Sequence, residues 1–221
     1  MTRVAVLEGD QVDYALGWNL YRKPQQRYAV VNSAHDRYPG GDWQTNLVAP
    51  EECFARRSNL AQAMPEKYYP LSPYGGIFCP EVYVFRSGPN HDYAFYEKIQ
   101  TLPVISVAPV RAPKLKEGSY AFEQERQFME EKMKTVLRIA AYHNQRGLFI
   151  GAFGLGPSEK NPPREVAKMW RHIIYEEEEF QGTFDNVIFV IDSGVLGDSS
   201  CTDAFKEELA PSRICPIRYI S

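Results

Sequence analysis

Apolar residues follow two rhythms along the chain, and the two rhythms alternate. Consecutive apolar runs at residues 4–7, 28–31, 82–85, 101–109, 148–152 and 187–191 predict strands, and a further strand is expected at 214–220. Between them, apolar positions recur at helical spacing. Val12, Ala15 and Leu16 form one such group; a second helix is expected at 51–64, carrying Phe54, Leu60 and Met64. The longest, over 122–142, has Phe128, Met133, Val136, Leu137, Ile139 and Ala140 as its apolar stripe, and shorter helices follow at 164–175 and 202–209. Such alternation predicts an α/β fold, a three-layer α/β/α sandwich with a mixed or mostly parallel sheet. Residues 68–80, rich in Pro, Gly and Tyr, read as a long surface loop, and 111–119 as another.

Composition narrows this picture. A chain of 221 residues, 44% hydrophobic, suits one domain over 1–221 around one core. A formal charge of −3 argues against a general polyanion-binding surface, so direct nucleic-acid binding is not expected. No run is long and apolar enough for a membrane span, and the first residues lack the pattern of a secretory leader, so an intracellular protein is expected. Cys53, Cys79, Cys201 and Cys215 are scattered and read as free thiols. His35, His91, His143 and His172 are far apart in sequence, so no metal site and no cofactor is expected.

Chemistry concentrates in three loops that each follow a strand, where ligands bind in sheets of this kind. The first holds Gly9 and Asp10; Asp10 either caps the next helix or holds a ligand. The second runs from Asn32 through Gly40 and Gly41 to Glu51 and Glu52, which stand at a helix start favoured by the helix dipole. The third is Phe153-Gly154-Leu155-Gly156, running on to Asn161. Glycine loops can turn backbone amides towards a diphosphate, and paired carboxylates can work on a sugar. No Gly-Lys-Ser or Gly-Lys-Thr follows a glycine loop, which excludes a P-loop. Phe153 either stacks on a base or ribose or packs in the core. Arg56 and Arg57 read as solvated residues of an exposed helical face, or as phosphate contacts. Tyr68, Tyr69 and Tyr74 are candidates for a groove.

Taken together, Asn32-Ser33-Ala34, PGG at 39–41, PEE at 50–52, CFARRSNL, YVF before Arg86, VISVAP, and GAFGLG before NPP resemble the microbial-type poly(ADP-ribose) glycohydrolases of the macrodomain superfamily. The resemblance implies a macrodomain-like fold that binds ADP-ribose or ADP-ribosylated protein or polymer. It also implies a hydrolase cleaving the ribose O-glycosidic bond. The alternatives are a reader that binds ADP-ribose without turnover and an enzyme acting on another ADP-ribose derivative. By the family's motif, Glu52 is the catalytic acid and Glu51 its partner, and Asn32 holds the distal ribose. Gly40, Gly41 and Asp42 belong to the first glycine loop, Phe153, Gly154, Leu155 and Gly156 to the diphosphate loop, and Asp10 accepts the adenine amino group. As the donor, Glu52 would need a raised pKa, from burial or from the like charge of Glu51. Asp42 stands where the family has a third glycine, Pro50 where it has glutamine, and PSEK where it has an aromatic tripeptide.

Overall fold

The computed structural model describes residues 2–197 and 199–210; the strand expected at 214–220 and Cys215 lie outside them. The chain begins with β1 (Arg3–Glu8), α1 (Gln11–Asn19) and β2 (Ala29–Ser33), and after the glycine loop forms α2 (Pro50–Arg56) and α3 (Leu60–Ala63). Two long strands follow, β3 (Ile77–Arg86) and β4 (Phe95–Val107), then a short hairpin of β5 (Leu115–Lys116) and β6 (Ser119–Tyr120). The remainder is α4 (Glu123–Tyr142), β7 (Gly147–Ile150), α5 (Pro163–Tyr175), β8 (Asn186–Ile191), α6 (Ser193–Leu196) and α7 (Ser200–Glu208).

Six strands form one sheet in the order β1-β8-β7-β2-β4-β3, all neighbours parallel except β3, which runs antiparallel to β4 at an edge. The mixed sheet expected from the alternation is present. Because side chains alternate along a strand, Ala29 and Val31 pack with α4, α5 and α7 on one face, while Val30 packs with α1, α2 and α3 on the other. The central strands are buried on both faces and read as continuous apolar runs for that reason. Among the described residues, no helix is long and apolar enough to cross a membrane.

Three expectations change. The helix expected over 51–64 breaks into α2 and α3, because the carbonyl of Arg57 accepts the amides of Phe85 and Arg86, at 3.0 and 3.2 Å. Asn59 accepts the amide of Tyr83 at 2.7 Å. These bonds to an edge strand override a run of good helix formers. The loop expected at 68–80 ends early, since Ile77 already pairs with Ser106; Pro80 is tolerated at the sheet edge, where the register shifts. The loop expected at 111–119 holds β5 and the turn into β6.

Candidate active site

The parallel strands β1, β2, β7 and β8 end at the same rim of the sheet, and the three loops follow them there. α2 starts with Pro50 in its first turn and carries Glu51 and Glu52 beside it, both buried. Proline suits that position because its missing N–H would be unpaired in a first turn anyway. Gly40 and Gly41 adopt φ of +79° and +58° beneath them. A β-carbon on Gly41 would collide with Glu52 Oε1 and lie 3.2 Å from Glu51 Oε2, so glycine is what lets both carboxyls settle against the loop.

Each carboxyl has its own partners. Glu52 Oε1 accepts the amide of Asp42 at 3.1 Å. Glu51 Oε1 accepts Asn32 Nδ2 at 3.0 Å, and Glu51 Oε2 accepts the amide of His35 at 2.6 Å. Burial pushes the Glu51 carboxyl up to about 8, against the hydrogen bonds from Asn32 and His35 and with the help of the Glu52 charge. Asn32 is itself buried and also donates to Ser106 Oγ at 3.2 Å, so its amide holds Glu51 in place. His35, which sequence reasoning passed over, has its pKa lowered by burial and by the Arg111 charge, and its ring stacks on Tyr38 at 4.1 Å.

Asp10 caps α1, its Oδ1 accepting the amides of Val12 at 2.8 Å and Asp13 at 3.0 Å. The same oxygen accepts Arg57 Nη1 at 2.9 Å. Arg57 is wholly buried, which corrects its reading as part of an exposed face. It also donates to Asp13, to Tyr96 Oη at 3.0 Å and to the carbonyl of Arg86 at 3.1 Å. Burial opposes its charge, but the carboxylates of Asp10 and Asp13 more than offset that. Arg56 is spoken for as well, donating to the carbonyls of Trp43, Thr45 and Leu47 and tying the glycine loop to α2. Asp10 lines a cavity of about 40 Å³ with Gly9, Gln11, Cys53 and Val190. Gln11 Oε1 is buried there without a hydrogen-bond partner.

The third loop gives a mixed result. Gly154 donates its amide to Ser33 Oγ at 3.2 Å, and Asn161 Nδ2 clamps the loop by donating to the carbonyls of Val110 and Gly154 at 2.7 and 2.8 Å. Phe153 and Leu155 point away from the cleft into the core, Phe153 edge-on to Trp170 at 6.0 Å, so packing and not stacking is the role of that ring. Glu159 places its carboxyl where a β-carbon on Gly156 would have to go. Burial raises the Glu159 carboxyl, the Arg111 charge pulls it back, and Glu52 raises it further. A second cavity, of about 20 Å³, lies between Glu159, Ser158 and Arg111 on one side and Glu51, Glu52 and Asp42 on the other. Drug-sized ligands occupy roughly 300 Å³ or more, so this cleft is closed, with Glu159 in it. Of the three candidate tyrosines, Tyr68 and Tyr74 are exposed, Tyr74 lying edge-on to Phe128, and Tyr69 packs on Met64. Among the described residues, one grouping has metal-ligand side chains close together, Glu130, His172 and Glu177. Lys134 Nζ already sits among them, 2.7 Å from Glu177 Oε1 and 3.1 Å from Glu130 Oε1.

Residues 1–87 match the model of a family described as microbial-type PARG, catalytic domain. Among solved structures, the chain is similar to poly(ADP-ribose) glycohydrolase from Deinococcus radiodurans in complex with ADP-ribose. Identity is 23% over 95% of this chain and 85% of that one, with a TM-score of 0.74. The corresponding enzyme from Thermomonospora curvata is 23% identical over 94% of this chain and 76% of that one, with a TM-score of 0.77. The chain has the fold of the poly(ADP-ribose) glycohydrolases. The T. curvata enzyme bound to the inhibitor ADP-HPD is 22% identical over 93% of this chain and 78% of that one, at a TM-score of 0.75. No curated protein matches the chain by sequence. The match ends at Arg86-Ser87, beyond the glutamate pair and short of the 153–161 loop, and includes Asp42 and Pro50.

Proposed function

We propose that the protein is an ADP-ribosyl hydrolase that cleaves the ribose O-glycosidic bond of poly(ADP-ribose) or a related conjugate. One observation carries this reading: two adjacent glutamates, buried at the strand-end rim over a glycine that makes room for them, with Glu51 still protonated near neutral pH. A carboxyl pair that retains a proton at that pH is what general acid catalysis of glycoside cleavage requires. Glu52 donates the proton to the leaving oxygen as positive charge develops at the anomeric carbon, and water then bonds to that carbon. Glu51, held by Asn32 and the His35 amide, shares the pair's one proton with Glu52, and the proton released by the attacking water restores it. At the other end of the cleft, the unmet Gln11 Oε1 and the Asp10 carboxyl receive the adenine amino group. Glu159 must swing off Gly156 before a diphosphate can approach the loop amides. We place the protein inside the cell, in keeping with the free, buried thiols of Cys53 and Cys79.

The test incubates the wild type and Glu52→Gln with labelled poly(ADP-ribose) and with mono-ADP-ribosylated protein, and measures ADP-ribose binding by calorimetry. The wild type should release ADP-ribose, and Glu52→Gln should lose about 10²- to 10⁴-fold in rate while still binding. Binding without release by the wild type would mean a reader, and absence of both would overturn the reading.

A further inference from the structure

Room beside the carboxyl pair lies across Asp42. Beyond Gly41 and Asp42 opens a cleft of about 550 Å³, walled by Tyr38, Asp42, Trp43, Gln62 and Glu66. Asp42 borders both this cleft and the small cavity that holds Glu51 and Glu52, and Gly41 touches both Glu52 and the cleft. A group leaving from the sugar at Glu52 therefore has this cleft as its adjacent space. Its chemistry is one-sided. Two carboxylates and two aromatic rings face it, and none of the residues lining it is Lys or Arg. The basic residues nearest in sequence turn elsewhere: Arg37 Nε lies 4.0 Å from Asp36, the Lys67 ammonium sits 5.0 Å over the Tyr68 ring, and Arg56 is bound to three loop carbonyls.

Resting on the hydrolase reading above, we propose that this cleft is the leaving-group site and that it takes the cationic side chains of an ADP-ribosylated protein. A second ADP-ribose unit fits it poorly. A polymer would bring a diphosphate against Asp42 and Glu66, where like charges repel and no Lys or Arg lines the cleft. A peptide with arginine or lysine beside the modified residue brings charges that pair with those carboxylates, and a guanidinium can lie on the faces of Tyr38 or Trp43. Tyr38 is fixed for this, its ring stacked on His35 and its Oη donating to Asp42 Oδ1 at 3.1 Å. The reaction balances as ordinary hydrolysis. The bond between the anomeric carbon and the protein oxygen breaks, that oxygen takes the carboxyl proton, water oxygen bonds to the carbon, and the water proton returns to the carboxyl pair.

Four substrates decide it: ADP-ribose carrying a neutral aryl ether, a peptide ADP-ribosylated on serine and flanked by arginines, the same peptide flanked by glutamines, and poly(ADP-ribose). At low salt the arginine peptide should react about fivefold faster than the glutamine peptide, and the polymer slowest; 1 M NaCl should erase the difference between the peptides. Glu66→Lys, checked for folding by its melting curve, should reverse the order, and Gln62→Glu should steepen it. Equal rates on both peptides, or a polymer preferred by the wild type, would overturn this inference and leave the hydrolase reading standing. Failure to cleave any substrate, the neutral ether included, would overturn the hydrolase reading and this inference with it.

Discussion

Gly41 and Gly156 each have a glutamate where a β-carbon would go, and the two glutamates, Glu52 and Glu159, line one small cavity. At Gly41 the occupant is Glu52, held by the Asp42 amide with Glu51 braced beside it, so the missing side chain makes room for a built arrangement. At Gly156 the occupant is Glu159, whose carboxyl fills the space beside the glycine and reaches into the cavity. The same residue type in the same kind of loop therefore signals opposite things. Space beside a glycine indicates a ligand only when the chain's own side chains leave it open.

Three changes would break or sharpen that contrast. The largest effect is expected from Gly41→Ala, which strains a φ of +58° and pushes Glu52 aside. A displacement of about 1 Å at a reacting group costs on the order of 10²-fold in rate, so single-turnover release should fall by that much; a fully active Gly41→Ala would show that Glu52 need not rest where it does. Next, Glu159→Gln removes the charge from the cavity, and ADP-ribose should bind about tenfold tighter by calorimetry. Wild-type binding should also tighten as pH falls and the raised Glu159 carboxyl takes up its proton, a slope the variant lacks. Unchanged affinity in the variant would remove Glu159 as the obstacle. The smallest effect is in stability. Glu51 is protonated in the folded chain up to about pH 8 but ionises near 4.5 when unfolded, so the folded state binds more protons between those values. Its contribution is complete below pH 4.5 and is lost as pH rises through 8. The Tm of wild type should drop further than that of Glu51→Gln between pH 5 and 8. Parallel curves would place the proton elsewhere.

Much of the fold was legible because buried parallel strands leave continuous apolar runs, as in β2, β7 and β8, and because α4 and α5 carry a helical stripe. The α2–α3 break was not legible, since what stops the helix is an edge strand's amides reaching the Arg57 carbonyl from about 30 positions away. The sheet likewise begins at Ile77 inside a Pro-Gly-Tyr stretch because pairing with β4 outweighs composition. In the site, the carboxyl pair and the cap at Asp10 could be placed from glycine and helix-start patterns. Arg57, His35, Gln11 and Glu159 could not, because nothing local distinguishes a buried arginine from a solvated one or says which glutamate of a loop turns inward.

The bonds of Arg57 bear on how such a chain diverges. Asp10 answers to two masters, since the oxygen that caps α1 also neutralises an arginine sealed between α1 and the β3–β4 hairpin, and removing one member of such a buried pair typically costs about 3–5 kcal/mol. A lineage that abandoned ADP-ribose would still keep this aspartate, while Glu159, exchanging few bonds with its neighbours, would be free to drift. Asp10 is thus bound to the architecture whatever the cleft takes, and position 159 is where a substitution would alter the cleft at least cost to the fold.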